Sequence, residues 1–543
     1  MPNCTKCSGS FEVRDADRVF YKKFDVPDPK MCPDCRLQLR LAFRNERTLY
    51  KRSSNLSGAG MISIYSPESK YKVYNTDEWW SDKWDGLEQG VDFDFSRPFF
   101  EQFQELCSKI PRITLFNVNP TNSEYCQQAY NNKGCHLCMV LTDCEDSMYL
   151  SHVNHAKDSF DCTYVHHVEL CYECLDSNEL YGCKECQSCQ NSNGLMFCYD
   201  CIGCKDCFAS WGLRNKENYI FNKQYSKEEY EKKIASLELG KSANYLNYKK
   251  YFQDQMKNRI CRASRNINIF DSTGNYLINT QNCHECFDSF QIQDCAYCTW
   301  IFESDNCYDV YGLGGSAWVL NCLGNEHVNN VAFNTFVSDG GDIMYSDLCF
   351  YSMNLFGCCG LKNKKHCIFN KQYSPEEYEK LKAKIIEHMK KTGEWGEFFP
   401  ASLSPFSYNE TAAQNYFPLK KDVAINAGFA WLDQKEQDQR EQTYKIPEDI
   451  KETKDDIIEN ILVCSCNKRY KIDGMELKFY RNQNIPIPLK CHDCRYSDRL
   501  KLRNSRKLYD RKCDKCALNI KTTYAPDREE KVYCEKCYLD TVN

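Results

Sequence analysis

No stretch of about 18 consecutive apolar residues occurs in the chain, so no segment is expected to cross a membrane as a helix. Positive charge is short as well. Seventy Lys and Arg against 76 Asp and Glu leave a formal charge of −6, which excludes a uniformly basic nucleic-acid coat and makes any such argument local. An apolar leader is missing ahead of the first cysteine, Cys4, so a secretory route is not expected and the chain is expected in the cytoplasm, where thiols stay reduced. Also absent is the x3-Cys-Pro ending that would make "CYDCIGCKDC" at Cys198 a ferredoxin-type cluster loop.

Cysteine is abundant instead, with 38 among 543 residues. In a reducing compartment so many thiols are metal ligands, small buried hydrophobes, or both. The length calls for several domains, each with its own core.

The two ends carry one module written twice. At an offset of 459 residues, Cys7 to Glu78 aligns without a gap on Cys466 to Cys537. In the second copy, Cys513, Cys516, Cys534 and Cys537 form two CxxC pairs at the spacing of a four-thiolate zinc site. The first copy has Ser54, Ser57, Asn75 and Glu78 at those places, so that site is lost. A second tetrad is present in both copies: Cys4, Cys7, Cys32 and Cys35, and Cys464, Cys466, Cys491 and Cys494. Three zinc ions are therefore expected. "SFEVRDADRVFYKKFDVP" and "RYKIDGMELKFYRNQNIP" alternate like strand pairs, and the run after Cys35 reads as a helix. Together these make a treble-clef-like finger. Four protein ligands leave no open coordination position, which argues against catalysis at the metal.

Arg36, Arg40, Arg44 and Arg47 fall on one face of that helix, and Arg495, Arg499, Arg503 and Arg506 repeat the pattern. Such stripes suit a phosphate backbone, with RNA favoured as partner. The alternative is that they pair with acidic surface in the same chain or face solvent.

The middle holds a second duplication, at offset 148: "GLRNKENYIFNKQYSKEEYEK" from Gly212 and "GLKNKKHCIFNKQYSPEEYEK" from Gly360. Ser226 and Ser374, with Glu two and three residues on, read as helix caps. Cys135, Cys144, Cys162, Cys171, Cys189, Cys198 and Cys207 differ by multiples of nine, and Cys286, Cys295, Cys322, Cys349, Cys358 and Cys367 share one phase. This period predicts a β-solenoid with coils of about 18 residues and cysteine ladders inside. Extra zinc in this region is the competing reading. His166 and His167 lie near Cys162 and Cys171 but receive no catalytic role, since nothing in the sequence fixes their geometry.

"CPDCRLQLRLAFRNERTLYKR", "YAPDREEKVYCEKCY" and the "IFNKQYS" repeats resemble those of uncharacterised multi-zinc-ribbon, treble-clef-like, cysteine-rich repeat proteins of candidate-phylum bacteria. The resemblance implies zinc at the twelve terminal cysteines and no established activity. The expected architecture is multi-domain and β-rich with helices: zinc-ribbon/treble-clef fingers at both ends flanking two cysteine-rich β-solenoid-like units capped by helices. Its boundaries are a finger at 1–85, a helical connector at 86–125, the first repeat unit at 126–222, a helical segment at 223–262, the second unit at 263–370, a helical segment at 371–433, a polar linker at 434–460 and a double zinc module at 461–543. The expected function is non-enzymatic: zinc fingers binding nucleic acid through arginine-striped helices, with the repeats as scaffold. A protein–protein interaction scaffold is the alternative. No membrane partner and no small-molecule substrate are expected.

Overall fold

A computed structural model describes residues 1–433 and 440–542. Two parallel β-solenoids form its centre. The first runs from the Asn117–Val118 strand to the Lys223–Gln224 strand, the second from Ile267–Phe270 to Lys371–Gln372. Among the described residues no helix is long and apolar enough to cross a membrane.

The coil is 12 residues long, not the expected 18. Val153 lies beside Val165, Thr163 beside Leu175, and Val310 beside Cys322. Each coil is four triplets. In nearly every triplet one side chain points inward and one residue takes a left-handed backbone, as at Asn131, Asp143, His155 and His167. Asn and Asp tolerate that conformation best among residues with a side chain, and they form ladders there: Asn119 donates to Asn131 and Asn131 to Asp143, each at 3.1 Å.

The ninefold phase has a different physical origin. A residue nine positions on sits in the next coil, one corner back, and its carbonyl faces the thiol. Cys135 donates to the Cys144 carbonyl at 3.4 Å, Cys198 to Cys207 at 3.4 Å, and Cys358 to Cys367 at 3.3 Å. The sequence period was therefore a contact distance rather than a coil length. Inward serines satisfy the same backbone: Ser159 accepts from the Cys171 N–H at 3.2 Å and donates to the Lys157 carbonyl at 2.8 Å. Buried polar groups without such partners would be costly.

Each solenoid ends in a short antiparallel turn, Ile220 opposite Lys223 and Ile368 opposite Lys371, which stops the stacking. Helices Lys227–Ser236 and Pro375–Thr392 follow, capped by Ser226 and Ser374, with Pro375 at the first helical position. Tyr378, Ile385 and Met389 bury one face of the latter. Helices Phe99–Lys109 and Ser242–Met256 lie within the stretches 86–125 and 223–262 expected to carry helix.

In the fingers, the expected strand pairs are corrected to helices Asp15–Lys23 and Gly474–Gln483. Capping decides this. Asp473 accepts from the Met475 N–H at 2.7 Å while Glu476 accepts from the Asp473 N–H at 3.1 Å. Phe20 and Tyr21, like Phe479 and Tyr480, then bury one helical face.

Trp79 is fully buried, its indole N–H donating to the Pro111 carbonyl at 2.9 Å, whereas Trp80 keeps 39 % of its surface exposed. Part of the linker expected at 434–460, residues 434–439, lies outside the described residues. The remainder packs: the Ser242 N–H donates to the Glu448 carbonyl at 2.8 Å, and Ile450 and Ile457 are buried.

Candidate metal centres and the arginine clamps

All twelve terminal cysteines come together as three tetrads: Cys4, Cys7, Cys32 and Cys35; Cys464, Cys466, Cys491 and Cys494; Cys513, Cys516, Cys534 and Cys537. Within each, the four sulfurs lie within 4.8 Å of one another. The closest pairs are Cys7 with Cys32 at 3.8 Å, Cys466 with Cys491 at 3.8 Å and Cys516 with Cys534 at 3.7 Å. A tetrahedral ion with metal–sulfur bonds near 2.3 Å requires sulfurs about 3.8 Å apart. The tetrads thus have the donor set and the edge length to hold a metal ion. The one-residue gap of Cys464-x-Cys466 is accommodated by a tight turn in which the Asn467 N–H donates to the Cys464 carbonyl at 2.8 Å.

Four thiols so close cannot ionise together without a cation. Hydrogen bonding from Cys35 pulls Cys32 down to about 5. Burial opposes ionisation of Cys513, but N–H donors from Cys534 and Cys516 bring it to about 6. Burial and the neighbouring thiols push Cys537 up to about 12. A divalent ion removes this competition.

At the lost site the hairpin remains, Tyr50–Ser53 against Gly60–Ser63, matching Tyr509–Lys512 against Asn519–Thr522. Hydrogen bonds replace the metal. Ser54 donates to the Glu78 carboxylate, Asn75 accepts from the Glu78 N–H at 2.9 Å, and the Leu56 N–H donates to Ser54 Oγ at 3.1 Å. Burial opposes ionisation of Glu78, yet hydrogen bonds from Ser54 and Ser57 hold its carboxyl below the usual value. Replacing Ser54 with Ala should cost about 1–2 kcal/mol, because the buried carboxylate and an N–H lose a shared partner. Urea midpoints compared with the wild type, at unchanged slope, measure this.

The arginine stripes do not face outward. Arg36 and Arg40 converge on Asp309 of the second solenoid, at 3.0 and 3.5 Å, with Arg40 also donating to Asn321 at 2.9 Å. Arg495 and Arg499 converge on Asp161 of the first solenoid, at 2.9 and 3.2 Å. Arg44 is held by Glu46 and Gln128. Arg47 stacks 3.7 Å over Tyr496 and reaches Asp493. Arg503 is held by Asp176 and Asp288, and Arg506 by Asp288 at 3.0 Å. The expectation that Arg36, Arg40, Arg44, Arg47, Arg495, Arg499, Arg503 and Arg506 present a nucleic-acid face is therefore corrected. Their side chains are buried or nearly so on carboxylates and aromatic rings of the same chain.

These clamps obey both duplications at once. Arg36 and Arg495 are 459 positions apart, and their partners Asp309 and Asp161 are 148 apart. Tyr297 donates to Asp17 and Tyr149 to Glu476, both at 2.9 Å. Phe20 stacks on Tyr308 at 3.9 Å as Phe479 packs on Phe160 at 4.3 Å. The N-terminal finger thus docks on the second solenoid and the C-terminal finger on the first. Each finger also adds a strand at the entrance of the other solenoid: Val73 pairs with Arg112, and Val532 with Cys261. Both fingers bridge both solenoids, in a pseudo-twofold arrangement.

Between the solenoids lies a buried polar seam. Tyr276 donates to Asp176 at 3.0 Å, and the His152 ring, fully buried, meets the Tyr311 hydroxyl at 2.9 Å. Gly312 permits the guanidinium of Arg44 to enter here, since a Cβ would sit 2.9 Å from it. Burial, then Arg506, Arg44, Arg503 and Arg47, hold His152 well below its ordinary value. The folded protein therefore leaves His152 neutral while the unfolded chain takes up a proton below about pH 6.5. Its contribution is a loss of stability as pH falls below that point, up to about 1.4 kcal/mol per pH unit. Replacing His152 with Gln should flatten the urea-midpoint profile between about pH 6.5 and 5 relative to the wild type.

Sequence reasoning found the tetrads but missed the carboxylates that receive the arginines. The signal was available: Asp161 and Asp309 share the 148-residue offset, and the arginines share the 459-residue offset. The fold and its sites define a class of protein, a pair of cysteine-laddered β-solenoids clasped by two four-cysteine fingers. The chain matches no family model and no curated protein.

Proposed function

We propose that this chain is a non-enzymatic, cytoplasmic zinc protein that serves as a protein–protein interaction scaffold, with three structural zinc ions fixing its ends. The observation that carries the reading is the inward turn of all eight arginines onto Asp161, Asp309, Glu46, Asp176, Asp288 and Asp493. It spends the local positive charge inside the molecule and removes the feature that favoured RNA. Zinc is favoured by all-thiolate tetrads with tetrahedral sulfur spacing, which leave no ligand position for substrate. The resemblance to multi-zinc-ribbon proteins points the same way.

What the solenoids offer outward is a regular display. Asp143, His155, His167 and Glu179 follow one another at the coil repeat beside Glu145, Lys157, Glu169 and Tyr181, in an open concave face. Stacked rings of His155 and His167, 4.6 Å apart, show that neighbouring rungs stay in register. Regular in register and mixed in charge, such a face suits a polar protein surface. A photo-crosslinking residue at position 155 or 181, introduced in the cell, should capture a defined protein, while one at the buried position 152 should not. The purified zinc-loaded protein should shift neither RNA nor DNA in a gel at low salt. A shift abolished by reversing Arg40, Arg44, Arg499 and Arg503 in a still-folded variant would overturn the reading.

A further inference from the structure

Twelve of the 38 cysteines form the tetrads, and 23 occupy inward positions of the two ladders. Three remain: Cys107, Cys261 and Cys359. Two of these meet. Cys107 lies on the Phe99–Lys109 helix, which packs across the second solenoid, and Cys359 stands one position out of the ladder phase, next to the inward Cys358. Asp347 is 12 residues before Cys359, directly beneath it on the preceding coil. The two sulfurs and a carboxylate oxygen lie within 4.8 Å of one another, all three residues buried.

We propose that Cys107, Asp347 and Cys359 form a fourth metal site, taking a thiophilic divalent ion, zinc above all, with a water as fourth ligand. Three protein donors of this type leave one position open. Beside it runs a narrow cavity walled by Phe43, Tyr65, Phe103, Phe399 and Phe406, with room for about one water molecule.

The surroundings fit such an ion. Arg112 donates to one carboxylate oxygen of Asp347 and the Thr335 hydroxyl to the other. A carboxylate oxygen keeps a second lone pair for a metal, and ligating carboxylates are ordinarily hydrogen-bonded in this way. Charge balances as well. A divalent cation and Arg112 offset two thiolates and one carboxylate, so the loaded site is neutral in its buried setting, with the two thiol protons released on binding. Neither thiol donates to a backbone carbonyl as the ladder thiols do, among the described residues.

This site has no counterpart in the other half of the molecule. At the positions 148 residues earlier, Asp347 and Cys359 correspond to Tyr199 and Trp211. The fourth site thus stands in the half whose finger has lost its second tetrad. Tyr65 and Tyr71, from that finger's remaining half, line the same cavity.

Native mass spectrometry of the full-length protein, reconstituted with zinc and washed of loosely held metal, tests this. The wild type should hold one ion more than Cys107→Ser/Cys359→Ser, four against three. Asp347→Asn, nearly isosteric, should also hold three and serves if the double variant folds poorly. Equal zinc in wild type and variants would overturn the proposal. So would a Cys107–Cys359 disulfide, read as a loss of two mass units in protein purified anaerobically.

Discussion

If the tetrads hold structural zinc as proposed, a strong chelator should unfold both fingers while the solenoid interiors stay folded. Structural zinc in small fingers contributes on the order of 10–16 kcal/mol of apparent binding energy. The Cys513 site has little core of its own, being surrounded chiefly by Ile520 and Tyr533, while the apolar side chains beside the other two tetrads belong to clusters shared with the solenoids. The solenoids, by contrast, bury continuous ladders of cysteine, valine, leucine and isoleucine that need no ion. Hydrogen exchange followed by peptide mapping should therefore show protection lost across residues 4–48 and 464–537 and kept at Cys162–Cys207 and Cys286–Cys367. Returning zinc should restore it. Unchanged protection in the fingers after metal removal would show that docking alone holds them.

The second large effect concerns two carboxylates. Asp161→Ala and Asp309→Ala should each destabilise the protein by about 3–5 kcal/mol, since each leaves two buried guanidinium groups without their shared counter-ion. Asp161 and Asp309 are almost wholly buried, and so are Arg36, Arg40, Arg495 and Arg499. Substituting a single exposed ion-pair partner such as Asp28, 3.1 Å from Arg18, should cost well under 1 kcal/mol. Urea or thermal unfolding separates the two outcomes readily. The destabilised variants should expose the docking face of one finger only: the C-terminal finger in Asp161→Ala, the N-terminal finger in Asp309→Ala.

Much of this was legible from local pattern. CxxC pairs separated by the right interval find one another because a metal site is set by short-range geometry. The capped helices after Ser226 and Ser374 follow from local hydrogen bonding. The coil length was not legible in the same way. Inward positions recur every third residue, so multiples of nine and of twelve both fit the cysteines. The spacing that thiol-to-carbonyl bonding favours, nine, stood out over the coil itself. The finger helices were hidden because Phe11 and Val13 alternate as in a strand, and only the hydrogen bonds at the helix starts, the Arg14 N–H to Asp17 and the Met475 N–H to Asp473, decide for a helix. The expected helical stripes are only half helical: Arg36, Arg40, Arg495 and Arg499 lie on the helices, which end at Leu41 and Lys501, and Arg44, Arg47, Arg503 and Arg506 lie in the turns beyond. Their destination was not visible, because Asp309 and Asp161 lie more than 260 residues away in sequence, on a surface that exists only once the coils are stacked.

The central claim is that the helical arginines of each finger, Arg36 and Arg40 or Arg495 and Arg499, grip the solenoid farther from that finger in the chain. Double-mutant cycles measure it most directly. Arg36→Gln with Asp309→Asn, and Arg495→Gln with Asp161→Asn, should each show coupling of about 1–3 kcal/mol, while the crossed pairs Arg36 with Asp161 and Arg495 with Asp309 should add within about 0.5 kcal/mol. Coupling in the crossed pairs, or none in the direct ones, would contradict the account.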